Sequence, residues 1–118
     1  MFGIGKNKKN DINAADAHEL INNNLSNLEF VILDVRSPGE YSEAHIDRAE
    51  NIDYNSHVFK SELDKRDRNK KYLVYCRSGH RSSNAVKIMI QLGFTGIHNL
   101  SGGIRKWKGE GFPLSNSV

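Results

Sequence analysis

The chain has 118 residues, of which 37% are hydrophobic and 26% charged, a composition typical of one soluble globular domain. It contains no apolar run near the ~18 residues that a membrane span requires and no signal-peptide pattern at its start, so we expect a cytoplasmic protein without a membrane partner. The net charge of +3 does not predict a nucleic-acid partner, because without three lysines of the first ten residues the chain has 14 basic and 14 acidic residues and no basic recognition motif.

The N-terminal third predicts a tail, a helix and a strand. Residues 1–10 are rich in Gly, Lys and Asn, which is typical of a flexible basic tail, and we assign residues 11–118 to the folded domain. Residues 13–21 predict a short helix with Asn13 as its N-cap. The apolar, β-branched residues 30–35 predict a strand that is buried on both faces, as in parallel sheets.

A second helix should follow that strand almost at once. Ser37 at the N-cap position with Glu40 three residues later is a capping box, and Pro38 occupies the favoured first helical position. We expect this helix to run to about Glu43. A turn and a short strand near residues 49–52, and a helix over residues 56–63, should come next.

The second half repeats the alternation of strands and helices. Residues 72–75 and 97–100 predict buried strands, and a helix from Ser82 should separate them and end at Gly93. A small helix carrying Trp107 should close the domain. Alternating strands and helices predict an α/β fold with three layers, in which a mainly parallel sheet of about five strands has helices on both faces.

The most informative stretch joins the strand at 72–75 to the next helix. Cys76 ends the strand, and Arg-Ser-Gly-His-Arg-Ser follows it. Backbone N–H groups converge in such loops and a helix N-terminus adds positive potential, so the loop should attract an anion. With Arg77, Arg81 and His80 nearby, this setting favours the nucleophilic thiolate form of Cys76.

A lone cysteine at the end of an apolar strand can also be a small buried hydrophobe. The charged residues that follow Cys76 favour a functional thiol instead. Because Cys76 is the only cysteine, the chain cannot form an internal disulfide or a cysteine-cluster metal site. The five histidines lack metal-ligand spacing, so we predict no metal.

Three stretches together resemble the rhodanese (sulfurtransferase) family. The loop at residues 76–82 is similar to its active-site loop, residues 34–52 to its upstream motif, and Gly102-Gly103-Ile104 with Trp107, Gly111 and Pro113 to its C-terminal motif. The resemblance spans about residues 11–114. It departs at Ala44 and Arg48, where the family commonly has glycine, in a turn outside the loop.

The resemblance implies a rhodanese-like domain that moves a sulfane sulfur from a small anionic donor such as thiosulfate to an acceptor, either cyanide or a thiol of a small molecule or protein. Cys76 would be the nucleophile and carry a persulfide, without any cofactor. The loop would bind the substrate through Arg77, Ser78, Gly79, His80, Arg81 and Ser82. We expect Asp34, Arg36 and Glu40 to support the loop, with Arg81 pairing with Glu40 or Asp34.

Other functions remain open at this point. A low-pKa thiol would also serve a non-enzymatic persulfide carrier or a redox-sensing module. A cysteine phosphatase or arsenate reductase is disfavoured, because these enzymes resemble the chain in having an amide loop but separate cysteine and arginine by five residues. Here four residues separate Cys76 and Arg81, so the loop should suit one sulfur atom better than a tetrahedral oxyanion.

Overall fold

A sheet of parallel strands forms the centre of the molecule. In this computed structural model, which describes residues 8–116, the strands are β1 (Asp11–Ile12), β2 (Phe30–Asp34), β3 (Glu50–Asn51), β4 (Lys71–Tyr75) and β5 (Gly96–Leu100). Their order is β1-β5-β4-β2-β3, and all four pairings are parallel. The predicted α/β class with about five mainly parallel strands is confirmed.

Helices cover both faces of this sheet. Within the described residues they are α1 (Ala14–Asn22), α2 (Pro38–Glu43), α3 (Phe59–Asp64), α4 (His80–Gln91) and α5 (Gly103–Gly109). The apolar residues of α3 and α4 pack on one face, and those of α1 and α5, including the fully buried Trp107, pack on the other. No helix in this part of the chain is long and apolar enough to cross a membrane.

Two helices begin at residues other than those predicted. Helix α4 starts at His80 rather than Ser82, because Gly79 takes a left-handed conformation (φ 107°) that places it at the N-cap without steric cost. Helix α3 starts at Phe59 rather than residue 56, because the Ser56 hydroxyl accepts the N–H of Val58 at 3.2 Å. This local turn holds residues 56–58 outside the helix.

The predicted tail is described only in its last residues. Lys8–Asn10 form a 3-10 helix, and the Asn10 side chain donates a hydrogen bond to the Ile97 carbonyl oxygen at 3.1 Å. Residues 1–7, on which the prediction of flexibility mainly rests, lie outside the described residues.

The two departures from glycine have different consequences. Arg48 adopts a left-handed conformation with φ 74°, which glycine adopts at lower cost. Ala44 has φ −169°, an extended conformation open to any residue. Only Arg48 therefore takes a backbone conformation that favours glycine, and it lies in the turn before β3.

The sheet brings the predicted functional stretches to one edge. Parallel strands present their carboxyl ends on the same side, where ligand sites of open α/β sheets lie. Asp34 ends β2, Cys76 follows β4, and the Ser101-Gly102 turn follows β5. The upstream, cysteine and C-terminal stretches thus meet at this edge.

Candidate active site

The sulfur of Cys76 lies inside the segment that leads from β4 into the first turn of α4, here called the Cys76 loop (residues 76–82). Its Sγ accepts a hydrogen bond from the backbone N–H of Gly79 at 3.1 Å and one from the Ser82 hydroxyl at 3.4 Å. The left-handed conformation of Gly79 turns the chain back on the cysteine. Both donors stabilise negative charge on sulfur, because hydrogen bonding to a charged form favours that form.

The N-terminus of α4 adds to this positive potential. The first hydrogen bond of the helix runs from the Ser83 N–H to the Gly79 carbonyl oxygen at 3.0 Å, so the N–H groups of His80, Arg81 and Ser82 have no acceptor within the helix. Helix α4 is 12 residues long, and the partial positive charge at its N-terminus attracts anions.

Cys76 is also buried, with 1% of its surface exposed, and it packs in the apolar cluster beneath α4. The two interpretations of this cysteine drawn from the sequence therefore both describe part of its environment. Its side chain has apolar neighbours, while its sulfur meets polar donors. The loop itself reaches solvent, since Arg77, Ser78 and His80 are exposed.

Arg81 pairs with Glu40 and thereby ties the Cys76 loop to α2. Arg81 Nη1 and Nη2 lie 2.9 and 3.1 Å from the two carboxylate oxygens of Glu40, a bidentate geometry. The hydrogen bond to Glu40 raises the pKa of Arg81, and attraction to Cys76 adds a smaller contribution. Of the two carboxylates proposed as partners, Glu40 makes the contact.

The same pair predicts a pH effect on stability. Hydrogen bonding to Arg81 lowers the pKa of Glu40 to about 2 from its ordinary 4.5, so its contribution is complete above about pH 4.5 and is lost as pH falls towards 2. Replacing Glu40 by glutamine should destabilise the protein by about 1 kcal/mol at pH 7, a modest amount because both side chains are partly exposed. Urea unfolding should show this difference in the free energy of unfolding between the wild type and Glu40→Gln at pH 7 but not at pH 2. An equal difference at both values would contradict the role of the charge.

Asp34 and Arg36 form a buried ion pair behind α2. Arg36 Nη2 lies 2.7 Å from Asp34 Oδ2 and 2.6 Å from the Ala44 carbonyl oxygen, with 5% of Arg36 and none of Asp34 exposed. No hydrogen bond within residues 8–116 joins either residue to the Cys76 loop. The pair holds both ends of α2 in place, and α2 carries the carboxylate that binds Arg81.

Sequence reasoning missed the contribution of α5. The backbone N–H groups of Ile104 and Arg105 donate to the carbonyl oxygens of Cys76 (2.9 Å) and Arg77 (3.0 Å). Gly103 has φ 61°, and a Cβ there would lie 2.6 Å from the Cys76 carbonyl oxygen and closer still to that of Arg77. The sequence placed Gly102-Gly103 in the C-terminal motif, but it did not show which part of the backbone packs against the pair.

Two histidines of the described chain take structural positions. The ring of His18 stacks on Phe112 at 4.4 Å, and Nδ1 of His45 lies 2.7 Å from the Tyr41 carbonyl oxygen. Among residues 8–116, no group of three His, Cys, Asp or Glu side chains could hold a metal ion.

Comparison with known proteins agrees with this geometry. A "sulfurtransferase" of Allochromatium vinosum is 27% identical over 87% of this chain and 94% of its own length. The thiosulfate:glutathione sulfurtransferase of Saccharomyces cerevisiae is 33% identical over 69% of this chain and 66% of its own. A crystal structure of a rhodanese-related protein from Thermoplasma volcanium is 36% identical, with a TM-score of 0.78 over 91% of this chain and 98% of the other.

The family assignment rests on a match that extends well beyond the loop. The model of the rhodanese-like domain matches residues 13–110. This range includes the strands β2 to β5 and the five α-helices α1 to α5 of the described chain. The chain belongs to the rhodanese-like domain family.

Proposed function

We propose that this protein is a sulfurtransferase that moves a sulfane sulfur from a small anionic donor, such as thiosulfate, to a thiol or cyanide through a persulfide on Cys76. The observation that carries the proposal is the pair of donors on Cys76 Sγ at the N-terminus of α4, the Gly79 N–H and the Ser82 hydroxyl. The names of the two relatives, one a sulfurtransferase and one a thiosulfate:glutathione sulfurtransferase, support it.

The reaction has two displacements. In the first, the Cys76 thiolate attacks the sulfane sulfur of thiosulfate, the sulfur–sulfur bond of the donor breaks, and sulfite leaves with the electron pair. The product is a persulfide anion on Cys76. In the second, an acceptor thiolate or cyanide attacks the outer sulfur, the persulfide bond breaks, and the Cys76 thiolate is restored. No net oxidant or reductant is consumed.

The Cys76 loop would hold the charge at each stage. The thiolate and the persulfide are both anions, and fixed N–H donors stabilise such charge without reorganising during the reaction. The unpaired N–H groups of the first turn of α4 would serve the outer sulfur. Arg77 is exposed at the loop, and its charge would attract the anionic donor.

The position of Arg81 argues against the phosphatase and arsenate reductase alternative. A guanidinium that binds an oxyanion must direct its N–H groups towards the nucleophile's substrate. Both terminal nitrogens of Arg81 instead bind the Glu40 carboxylate. The residue braces the loop, and the loop lacks a free arginine fork at that position.

Turnover assays test the proposal against its alternatives. The protein incubated with thiosulfate and cyanide should release thiocyanate catalytically, and it should release no phosphate from an aryl phosphate. Phosphate release without thiocyanate would replace the proposal by the phosphatase function. A single equivalent of persulfide without turnover would indicate a sulfur carrier. If neither thiocyanate nor a persulfide forms, the proposal is rejected and a redox-sensing module is the remaining alternative.

A further inference from the structure

A polar groove of about 660 Å³ opens beside the Cys76 loop, between α4 and the β1 edge of the sheet. Its volume is typical of sites for small molecules. Ser78 and Gly79 line one end of it, and the Gly79 N–H binds Cys76 Sγ. A molecule in the groove would therefore have one end next to the reactive sulfur.

One wall of the groove is a stripe of polar residues on α4. The residues are His80, Ser83, Asn84 and Lys87, whose spacing of three, four and seven places them on one helical face. From His80 to Lys87 the stripe extends about 10 Å, at ~1.5 Å per residue. The groove thus runs from the Cys76 loop to a lysine two turns away.

The floor consists of Asn99 on β5 and Asp11 on the edge strand β1. Asn99 lies two residues from Ile97, which packs under α4, so both side chains point to the α4 face. Asn99 is 3% exposed and its Nδ2 donates to Asp11 Oδ1 at 2.9 Å. Its buried Oδ1 has no hydrogen-bond partner among residues 8–116. A buried amide oxygen of this kind calls for a donor.

The groove also carries both signs of charge. Asp11 and Lys87 both line it, and neither forms an ion pair among the salt bridges of the described residues. The carboxylate of Asp11 and the amide oxygen of Asn99 are suited to bind an ammonium group, and Lys87 is suited to bind a carboxylate. An α-amino acid group carries these two charges together.

We infer that this groove binds the amino-acid arm of a low-molecular-weight thiol acceptor, with the arm's ammonium at Asp11 and Asn99 and its carboxylate at Lys87. The inference deepens the proposed function and rests on it, because the thiol of such an acceptor would reach the persulfide on Cys76. It makes the groove the element that selects among acceptors.

A binding experiment tests the groove separately from the chemistry. S-methylglutathione carries a γ-glutamyl arm but no free thiol, so it binds without reacting. Titrated into the whole protein, it should shift the backbone amide NMR signals of β1, β5 and α4. Lys87→Gln should weaken its binding about tenfold, the loss expected for one charge-assisted contact. Lys60 is an exposed lysine on α3, and the control variant Lys60→Gln should bind S-methylglutathione as tightly as the wild type does.

Absence of binding, shifts confined to other elements, or equal affinity of Lys87→Gln and wild type would each overturn the inference.

Kinetics supply a second test. With thiosulfate as donor and a thiol as acceptor, sulfite release measures the rate. In this assay glutathione should have a KM about tenfold below that of N-acetylcysteinylglycine, which lacks the arm, and Lys87→Gln should remove this preference. Thiocyanate formation with equal KM values for both thiols would overturn the groove while the proposed function stands. Binding of S-methylglutathione without any persulfide on Cys76 would support the groove and reject the proposed function.

Discussion

Replacing Cys76 by serine should abolish sulfur transfer, reducing thiocyanate formation by at least about 10³-fold, as removal of a catalytic nucleophile does. A serine hydroxyl is not ionised at neutral pH and cannot form a persulfide. The chain has no second cysteine that could take over. Thiocyanate formation from thiosulfate and cyanide measures the loss directly.

The fold should survive this change, because serine is close to cysteine in size and its oxygen can accept the N–H of Gly79, as Sγ does. The far-UV and near-UV circular dichroism spectra should match those of the wild type. A correctly folded Cys76→Ser protein with activity within tenfold of the wild type would show that another group carries the sulfur.

Replacing Gly103 by alanine should damage both stability and activity. The new Cβ would collide with the carbonyl groups of Cys76 and Arg77, and these are backbone atoms that cannot rotate away. We expect a loss of about 2–4 kcal/mol in the free energy of unfolding. Displacing the Cys76 loop should also lower kcat/KM by about 10²-fold, the cost of misplacing a reactive group by ~1 Å.

Gly111→Ala is the matched control for this variant. Gly111 also has a left-handed conformation, with φ 81°, but nothing lies within 4 Å of a Cβ built on it. Its replacement should cost only the backbone strain of about 1 kcal/mol and leave kcat/KM unchanged. If the two variants lose equal stability and activity, the contact between Gly103 and the Cys76 loop has no special importance.

The strands and most helices could be predicted because their signals are local. The apolar stretch before Asp34 and the capping box at Ser37 and Glu40 each specify an element within a few residues. The start of α4 was predicted two residues late because Gly79 caps it through a left-handed backbone. A side-chain cap would have been visible in the sequence, whereas a glycine has several possible conformations.

The candidate site was predictable only in part, for the same physical reason. The Cys76 loop is contiguous, so its donors could be expected from one stretch. The contacts from α5 to the carbonyl groups of Cys76 and Arg77 join residues almost 30 positions apart through the backbone, and no residue type marks them. The groove likewise depends on Asp11 of β1 and Lys87 of α4 lining one cavity, an arrangement that only the strand order reveals.

The Cys76 sulfur should accept one further sulfur atom from thiosulfate, and mass spectrometry can detect this atom on the protein. The whole protein is incubated with thiosulfate, freed of excess reagent and digested without reductant. The peptide containing Cys76 should gain the mass of one sulfur and lose it again when cyanide is added. An unchanged peptide mass, with the protein folded and the thiol reduced, would show that Cys76 does not carry the transferred sulfur.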